Sequence, residues 1–204
     1  MKILVACEYS GRVREAFRAK GHNAWSCDLL PSEDASPYHV QCDVREFLAE
    51  SWDMMIAFPS CTYLCSSGLH WNGRVPGRAE KTQEAIDFVK LLWSAPIKKI
   101  AIENPVGCLS TAIRKPDQII QPHQYGEDAS KATCLWLKEL PPLTSTERVA
   151  GRLVTLSSGK TVERWANQTD SGQNKLAPSA DRWKERSRTY QGIADAMAEQ
   201  WGGV

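Results

Sequence analysis

A cysteine follows one apolar segment in a way that suggests a reactive thiol. Residues 54–58 form a continuous apolar run, as in a buried strand, and the run ends at Pro59, Ser60 and Cys61. Proline restricts the backbone of such a loop, so that the thiol is held in a defined direction. A thiolate is the side chain suited to attack an electron-poor carbon. The alternative is a strand-end cysteine without a role, which is the favoured interpretation for Cys65.

Residues that could bind a ligand or act as acids follow the other apolar segments in the same manner. They are Cys7, Glu8, Ser10 and Gly11 after the first segment, Asp28 after the second, Asp43 after the third, and Glu103 and Asn104 after the fifth. Any one of the acids could simply cap a helix. Their joint placement after successive segments favours a common site with acid–base chemistry beside a thiol.

The elements that must position these residues alternate between strands and helices. Strands are predicted at residues 2–7, 23–27, 40–43, 54–58, 98–103 and 134–137, and helices at 13–20, 81–94 and 187–201. This alternation predicts an α/β fold with a doubly wound, mostly parallel sheet. In such sheets ligands bind beyond the carboxyl ends of the strands, so we expect the residues named above to share one edge.

The chain changes character after about residue 143. Residues 147–163 predict either a hairpin or an irregular excursion, with Ser157, Ser158 and Gly159 at its turn, and residues 167–180 are polar and predict a loop. We therefore predict a catalytic domain formed by residues 1–143 and 181–204, with a small basic excursion at 144–180. That excursion would contact the substrate.

Composition narrows the possible classes of protein. The 204 residues carry a net charge of only +1, so nucleic-acid binding would need a local basic patch. The seven cysteines are scattered without a CxxC pair, which predicts reduced thiols, and Cys61, Cys65 and His70 lack the second ligand pair of a zinc site. No metal is expected.

The N-terminus predicts a strand and not a signal peptide, and no run approaches the length of a membrane span, so we expect a cytoplasmic protein.

Asp28 and the turn at Gly11 indicate a particular kind of cofactor. An acid at about this distance after the first turn commonly binds ribose hydroxyls in nucleoside-binding α/β proteins. The turn itself lacks both GxGxxG and the lysine of a P-loop, so it has no phosphate fingerprint. An adenosine without a phosphate chain fits this pattern, and S-adenosyl-L-methionine is such a molecule.

These motifs together resemble the DNA cytosine carbon-5 methyltransferases, in particular their short phage and prophage members. Pro59-Ser60-Cys61 resembles the nucleophile motif, and Ile102-Glu103-Asn104-Pro105 resembles the following Glu-Asn motif. Gln124-Tyr125-Gly126 with Lys131, and Tyr190-Gln191-Gly192, resemble two later motifs more weakly. The resemblance covers most of residues 1–140 and 181–201.

The resemblance implies a Rossmann-like, S-adenosyl-L-methionine-dependent methyltransferase fold with a very small recognition insertion, in the cytoplasm of a bacterium or phage-infected host. Its implied reaction is methylation of carbon 5 of cytosine in DNA through a covalent Cys61 adduct. The implied catalytic residues are Cys61, Glu103, Asn104 and Lys131. The implied cofactor-binding residues are Cys7, Glu8, Ser10, Gly11, Asp28, Asp43, Pro59, Gln191 and Gly192.

The chain departs from that family in two places, which leaves alternatives open. Ser60 stands where the family has proline next to the cysteine, and Lys131 and Thr133 replace two arginines. A free pyrimidine nucleotide as substrate, or a catalytically weakened nucleic-acid-binding or cofactor-binding protein of the same fold, are therefore alternatives. A further one is a hydrolase that pairs Cys61 with His70 or His123.

The basic C-terminal part is the predicted docking surface for DNA. Nine Lys or Arg residues lie between positions 148 and 188, and the predicted contacts are Arg148, Arg182, Lys184, Arg186 and Arg188. Such contacts would neutralise phosphates without reading base sequence. The other interpretation is a solvated basic face.

Overall fold

A computed structural model describes residues 1–203 and contains a seven-stranded sheet with helices on both faces. The strands are β1 (Lys2–Ala6), β2 (Asn23–Asp28), β3 (His39–Gln41), β4 (Met54–Ala57), β5 (Lys99–Pro105), β6 (Gln118–Ile120) and β7 (Thr133–Lys138). The helices are α1 (Arg12–Ala19), α2 (Ser66–Leu69), α3 (Arg78–Trp93), α4 (Leu109–Ala112), α5 (Arg182–Ser187) and α6 (Gln191–Trp201). Short 3₁₀ turns occupy Val44–Glu46 and Pro122–Gln124.

The order of the strands is β3-β2-β1-β4-β5-β7-β6. Neighbouring strands from β3 to β5 are parallel, whereas β7 is antiparallel to both β5 and β6. The predicted α/β class with a doubly wound, mostly parallel sheet is therefore confirmed. The order reverses between β1 and β4, which places a crevice at the carboxyl ends of these strands.

Alternation of side chains along the strands divides the core between the two faces. Ile3 and Val5 of β1 point to the face covered by α1 and α6, where Phe17 and Trp201 are fully buried. Leu4 and Ala6 of β1 point to the other face, which is covered by α3. Because the central strands are buried on both sides, their sequences are continuous apolar runs and not alternating ones.

The strand at the far edge of the sheet was missed. β6 has three residues, with Ile119 more than half exposed, so it carries no apolar run to detect. The predicted sixth strand is β7, which lies between β5 and β6 and is antiparallel to both.

The predicted C-terminal helix at 187–201 is wrong in its first part. Helix α5 ends at Ser187, and Arg188 and Tyr190 have extended backbones before α6 begins at Gln191. Contacts with distant parts of the chain interrupt the helix, because the side chain of Arg188 pairs with Glu33 and the ring of Tyr190 packs against the core.

The predicted hairpin in the C-terminal part is present as a separate two-stranded sheet. Strands β8 (Arg152–Thr155) and β9 (Thr161–Arg164) are antiparallel and turn near Gly159. The hairpin is fastened to the main body by Trp165, whose ring stacks on His123 at 4.0 Å and whose Nε1 donates to the carbonyl of Val149. Among residues 1–203 there is no helix of the length and apolarity that crossing a membrane requires.

Candidate active site

The turn after β1 forms one wall of the crevice. Cys7 has a positive φ of 59°, which is uncommon for a residue other than glycine, and Gly11 has a φ of 73°. A Cβ at Gly11 would contact the side chains of Arg14 and Asp34, so glycine is required there for space as well as for conformation. The chain thus turns sharply from β1 into α1.

Glu8 and Ser10 serve the start of α1. The Glu8 carboxylate accepts hydrogen bonds from the backbone N–H groups of Val13 (2.7 Å) and Arg14 (3.3 Å), and Ser10 Oγ donates to it at 3.4 Å. Burial raises the pKa of Glu8 to about 7, against the lowering effect of those hydrogen bonds. The structure therefore uses both residues, which were predicted to bind a cofactor, as a helix cap.

Asp28 and Asp43 lie close to Cys7 at the same edge of the sheet. Burial, and then the carboxylates of Asp28 and Asp43, raise the pKa of the Cys7 thiol to about 12. Asp28 Oδ1 accepts from the N–H of Leu30, and burial raises the pKa of Asp28. Asp43 instead caps the 3₁₀ turn and pairs with Arg45 at 2.8 Å. Of the two acids, Asp28 has the carboxylate that is freer to bind a ligand.

The loop that carries Cys61 is fixed by the segment after β5. The side-chain amide of Asn104, which is 1 % exposed, donates to the carbonyl of Pro59 at 2.8 Å. Gly107 packs so closely on Leu64 that a Cβ would overlap its carbonyl oxygen. Asn104 was predicted to be catalytic, and its contact shows a positioning role. Its Oδ1 is buried without a hydrogen-bond partner.

Charged side chains surround the Cys61 thiol. Burial raises its pKa, as do Cys65 and the carboxylate of Glu103, whereas Lys131 and Arg186 lower it. The structure thus brings together Cys61, Glu103 and Lys131 from three separate parts of the chain, as predicted. Arg186 joins them from α5, although the sequence suggested only a DNA contact for this residue.

A narrow cavity lies beside these groups. It is lined by Phe58, Glu103, Lys131, Thr133, Tyr190 and Met197, among others, and its volume of about 10 Å³ is close to that of one water molecule. The cavity is therefore too small for an aromatic ring. Helix α6 and the residue before it reach the cavity through Tyr190, Ile193 and Met197, and not through Gln191 or Gly192.

The strap, which we define as residues 182–190, closes the cavity. Tyr9 Oη hydrogen bonds to Ser187 Oγ at 2.9 Å, Lys131 Nζ donates to the carbonyl of Arg186 at 3.0 Å, and Arg12 donates to the carbonyl of Thr189 at 2.9 Å. Arg188 pairs in a bidentate manner with Glu33. These contacts hold α5 across the carboxyl edge of β1 and over the Cys61 loop.

Gln191 and Gly192, predicted to bind the cofactor, have other roles in the structure. Gln191 is exposed and hydrogen bonds to Asp195 one turn later. Gly192 lies against the carbonyl of Tyr125, where a Cβ would overlap it, and its N–H donates to Glu127. The glycine therefore permits close packing of α6 on Tyr125, and the predicted cofactor contact of Gln191 and Gly192 stays a prediction.

The predicted basic docking surface is largely paired with acids of the same chain. Ion pairs join Arg148 to Glu163, Lys184 to Asp181, and Arg188 to both Glu33 and Glu185. Arg182 is partly buried, and its Nε has no hydrogen-bond partner. Arg186 forms no ion pair within residues 1–203. Exposed ion pairs are weak and can exchange partners, but the surface carries less free positive charge than its sequence suggests.

The two histidines considered as partners of Cys61 contact tryptophan rings instead. His123 stacks on Trp165 and His70 packs on Trp71, and neither forms a hydrogen bond with Cys61 in the part of the chain that the structure covers. Within residues 1–203, no three His, Cys, Asp or Glu side chains are grouped closely enough to hold a metal ion.

Three residues that frame the site were not predicted. Tyr9 and Glu33 anchor the strap, and Tyr190 lines the cavity. Glu33 lies in a polar loop with no pattern that would single it out. Tyr9 stands inside the turn that the sequence did identify, so the strand-end reasoning could have included it.

Comparisons with known proteins give little further guidance. No family model matches the chain, and no curated protein matches its sequence. Among solved structures, it is similar to an E. coli prophage-encoded protein described as a DNA modification methyltransferase, with 13 % identity and a TM-score of 0.42. The match covers 70 % of this chain and 52 % of that one, so the chain corresponds to about half of that protein. At this TM-score the likeness supports no argument about function.

Proposed function

We propose that the protein is an S-adenosyl-L-methionine-dependent methyltransferase that methylates carbon 5 of cytosine in DNA. The observation that carries the proposal is that Glu103 and Lys131, which line one cavity, both lie near enough to the Cys61 thiol to act on its ionisation. A thiol, a carboxyl group and a cation are the groups that this chemistry needs.

The crevice has features that suit the adenosine part of the cofactor. Asp28 lies at the end of β2 with a carboxylate oxygen available to accept ribose hydroxyls, and the sharp turn at Cys7 and Gly11 lets the backbone approach a ligand closely. Pro59 forms the neighbouring wall at the end of β4. Glu8, Ser10 and Asp43 fit less well, because the first two cap α1 and the third pairs with Arg45. The cofactor would supply the electrophilic methyl group.

The reaction would begin with attack of the Cys61 thiolate on carbon 6 of the pyrimidine. The electron pair displaced into the ring makes carbon 5 nucleophilic, and Glu103 would stabilise the ring by donating a proton at nitrogen 3. After methyl transfer, the carbon-5 proton would be lost to solvent, cleavage of the sulfur–carbon bond would return the thiolate, and the nitrogen-3 proton would return to the Glu103 carboxylate. Lys131 would contact the pyrimidine carbonyl as a point charge.

Asn104 would act through the loop and not on the base. Its hydrogen bond to Pro59 fixes the backbone two residues before the thiol, and this bond compensates for the freedom that Ser60 introduces where the resembling family has proline. Residues 144–180, with the basic side chains of the strap, would form the small surface that meets the phosphates.

The direct test is methylation by the purified protein. We expect labelled methyl groups from S-adenosyl-L-methionine to appear as 5-methylcytosine in oligonucleotide DNA, and Cys61→Ala to abolish this without affecting cofactor binding. Binding is measured as the rise in melting temperature with S-adenosylhomocysteine. Asp28→Ala should lose that rise, and Asp53→Ala, at the opposite edge of the sheet, should keep it. Full activity in Cys61→Ala, or no thermal shift in the parent protein, would contradict the proposal.

A catalytically weakened binding protein of the same fold is the second candidate. Two observations favour it: the raised pKa of Cys61, which keeps the thiol protonated at neutral pH, and the nearly closed cavity. This candidate predicts a thermal shift with the cofactor product but no 5-methylcytosine on DNA or on free deoxycytidine monophosphate. Methylation of the free nucleotide alone would instead identify a nucleotide enzyme.

A further inference from the structure

Two tryptophans differ from the rest in being exposed. The chain has eight tryptophans, and within residues 1–203 only Trp71 and Trp183 are largely exposed, at 45 % and 49 % of their surface. Single exposed apolar residues are common on protein surfaces. What sets this pair apart is that Trp71 stands on the segment that follows Cys61 and Trp183 on the strap that is bonded to Lys131, and that each has a cation over its ring.

Trp71 belongs to the segment that begins at Cys61. Thr82 Oγ1 hydrogen bonds to both the carbonyl of Tyr63 and the side chain of Asn72, so the residues around Trp71 are tied back to the Cys61 loop. The guanidinium of Arg74 lies 5.8 Å from the centre of the Trp71 ring. Arg74 forms no ion pair in the part of the chain that the structure describes, so its charge is available to a phosphate.

Trp183 belongs to the strap, which covers the same cavity. Its ring packs at 6.1 Å from that of Tyr9, which follows β1, and Lys184 Nζ lies 5.6 Å from the Trp183 ring centre. The strap is bonded to Lys131 three residues later, and Lys131 acts on the Cys61 thiol. Trp71 is thus tied to the loop that carries Cys61, and Trp183 to the strap that contacts Lys131.

We propose that Trp71 and Trp183 are stacking platforms for single-stranded DNA, each receiving a base that flanks the nucleotide entering the cavity. Aromatic side chains bind bases of any sequence by stacking, and a nearby cation without an acidic partner, here Arg74, can contact a phosphate. In a duplex the flanking bases are already stacked on one another, so both platforms can be used only with a single strand. The inference rests on the proposed function for which nucleotide enters, but the stacking can be measured without catalysis.

The choice of a single strand also follows from what the protein lacks. Flipping a base out of a duplex costs a few kcal/mol, which contacts elsewhere must offset. The excursion available for such contacts is short, and Arg148, Lys184 and Arg188 are already paired with acids. A single strand avoids this cost.

The test is binding of a fluorescent deoxycytidine-containing 12-mer, single-stranded or annealed to its complement, followed by anisotropy. Trp71→Ala and Trp183→Ala should each weaken single-strand binding roughly 5- to 100-fold, as expected for one stacked base. Trp→Phe at either position should retain most of the affinity, and the salt dependence should be unchanged because an indole neutralises no phosphate.

Leu91→Ala serves as the matched control. Leu91 is 42 % exposed, but it lies near the end of α3, which leads into the start of β5 at the opposite edge of the sheet. We expect this variant to bind like the parent protein. Melting temperatures of all variants check that each is folded.

The outcomes separate this inference from the proposed function. Parent-like single-strand binding by both tryptophan variants, tighter binding of the duplex, or no single-strand binding by the parent would each overturn the inference. None of these results depends on methyl transfer. Loss of the cofactor-induced thermal shift would contradict the proposed function while leaving the stacking result intact.

Discussion

The Cys61 thiol is the proposed nucleophile, and its surroundings oppose ionisation. Burial removes water that would stabilise the thiolate, and the Glu103 carboxylate repels it. Lys131 and Arg186 act in the opposite direction but do not fully compensate. The thiol is therefore mainly protonated at neutral pH. In the proposed reaction it would have to lose its proton when the nucleobase binds near Lys131.

Substitutions around Cys61 should change its reactivity in opposite directions. Glu103→Gln removes a negative charge, which lowers the pKa of Cys61 and makes its alkylation by iodoacetamide severalfold faster at pH 7.5, a value below the thiol's ordinary pKa. Arg186→Met removes a positive charge, which raises that pKa and slows alkylation. Rates are measured for the Cys61 peptide by mass spectrometry over a range of pH.

Glu84→Gln is the control for those two variants. Glu84 is an exposed acid on α3 and is not among the groups that act on Cys61. Its removal should leave the alkylation profile unchanged. Equal profiles for the parent, Glu103→Gln and Arg186→Met would show that neither charge lies at the thiol.

At the level of elements, the proposed reaction requires the strap to open before a nucleobase can reach Cys61. The pair between Arg188 and Glu33 is the best candidate for the contact that holds it, because it is bidentate and both side chains are about 70 % buried. Most exposed ion pairs contribute less than about 1 kcal/mol, but this geometry is a favourable case. A contribution of about 1 kcal/mol corresponds to a roughly fivefold change in the open population.

Breaking the Arg188–Glu33 pair should therefore expose Cys61. We expect Glu33→Ala to increase the alkylation rate of Cys61 roughly fivefold at high pH, where the thiol is ionised in both proteins and the rate reports access. The exchanged pair Glu33→Arg with Arg188→Glu should restore the slow rate. Lys20→Ala, which breaks the pair with Glu199 between α1 and α6, is the control. A parent-like rate in Glu33→Ala would mean that other contacts hold the strap.

The cap at the start of α1 gives a pH-dependent stability. The pKa of Glu8 is raised by burial from 4.5 to about 7, so the folded state binds a proton that the unfolded state has released. The stabilisation is complete below about pH 4.5 and is lost as pH rises through about 7, which amounts to at most about 3 kcal/mol. Glu8→Gln should remove this decline. Urea unfolding between pH 4.5 and 8 measures it, and parallel profiles for the two proteins would contradict it.

At the scale of the whole molecule, patterns that depend on neighbouring residues were predictable and those that depend on distant contacts were not. The apolar runs located every parallel strand, and the strand-end rule grouped Cys61 with Glu103. The close packing of Gly192 on Tyr125 was not predictable, because Tyr125 is 67 positions earlier in the sequence. The break in the C-terminal helix was missed because it depends on Glu33, which is still more distant.

Charge is distributed unevenly over the chain, although the total is small. Residues 144–188 contain nine Lys or Arg and five Asp or Glu, a net charge of +4, so the remainder carries −3 to give the total of +1. A polyanion should therefore approach the excursion and the strap first. Only cations without an acidic partner are free to replace the counterions of a phosphate, and this distinction can be tested within the excursion itself.

Two double variants of the excursion separate free from paired cations. Lys160 and Lys175 form no ion pair within residues 1–203, whereas Arg148 and Arg152 pair with Glu163 and Asp170. Lys160→Ala with Lys175→Ala should reduce the slope of log affinity for single-stranded DNA against log salt by about 1.4, or about 0.7 for each phosphate that is no longer neutralised. Arg148→Ala with Arg152→Ala removes the same charge but should reduce the slope by less than half as much. Anisotropy titrations between about 50 and 200 mM salt give the slopes. Equal reductions in the two double variants would mean that DNA displaces the internal ion pairs. No reduction in either variant would place the docking surface outside the excursion.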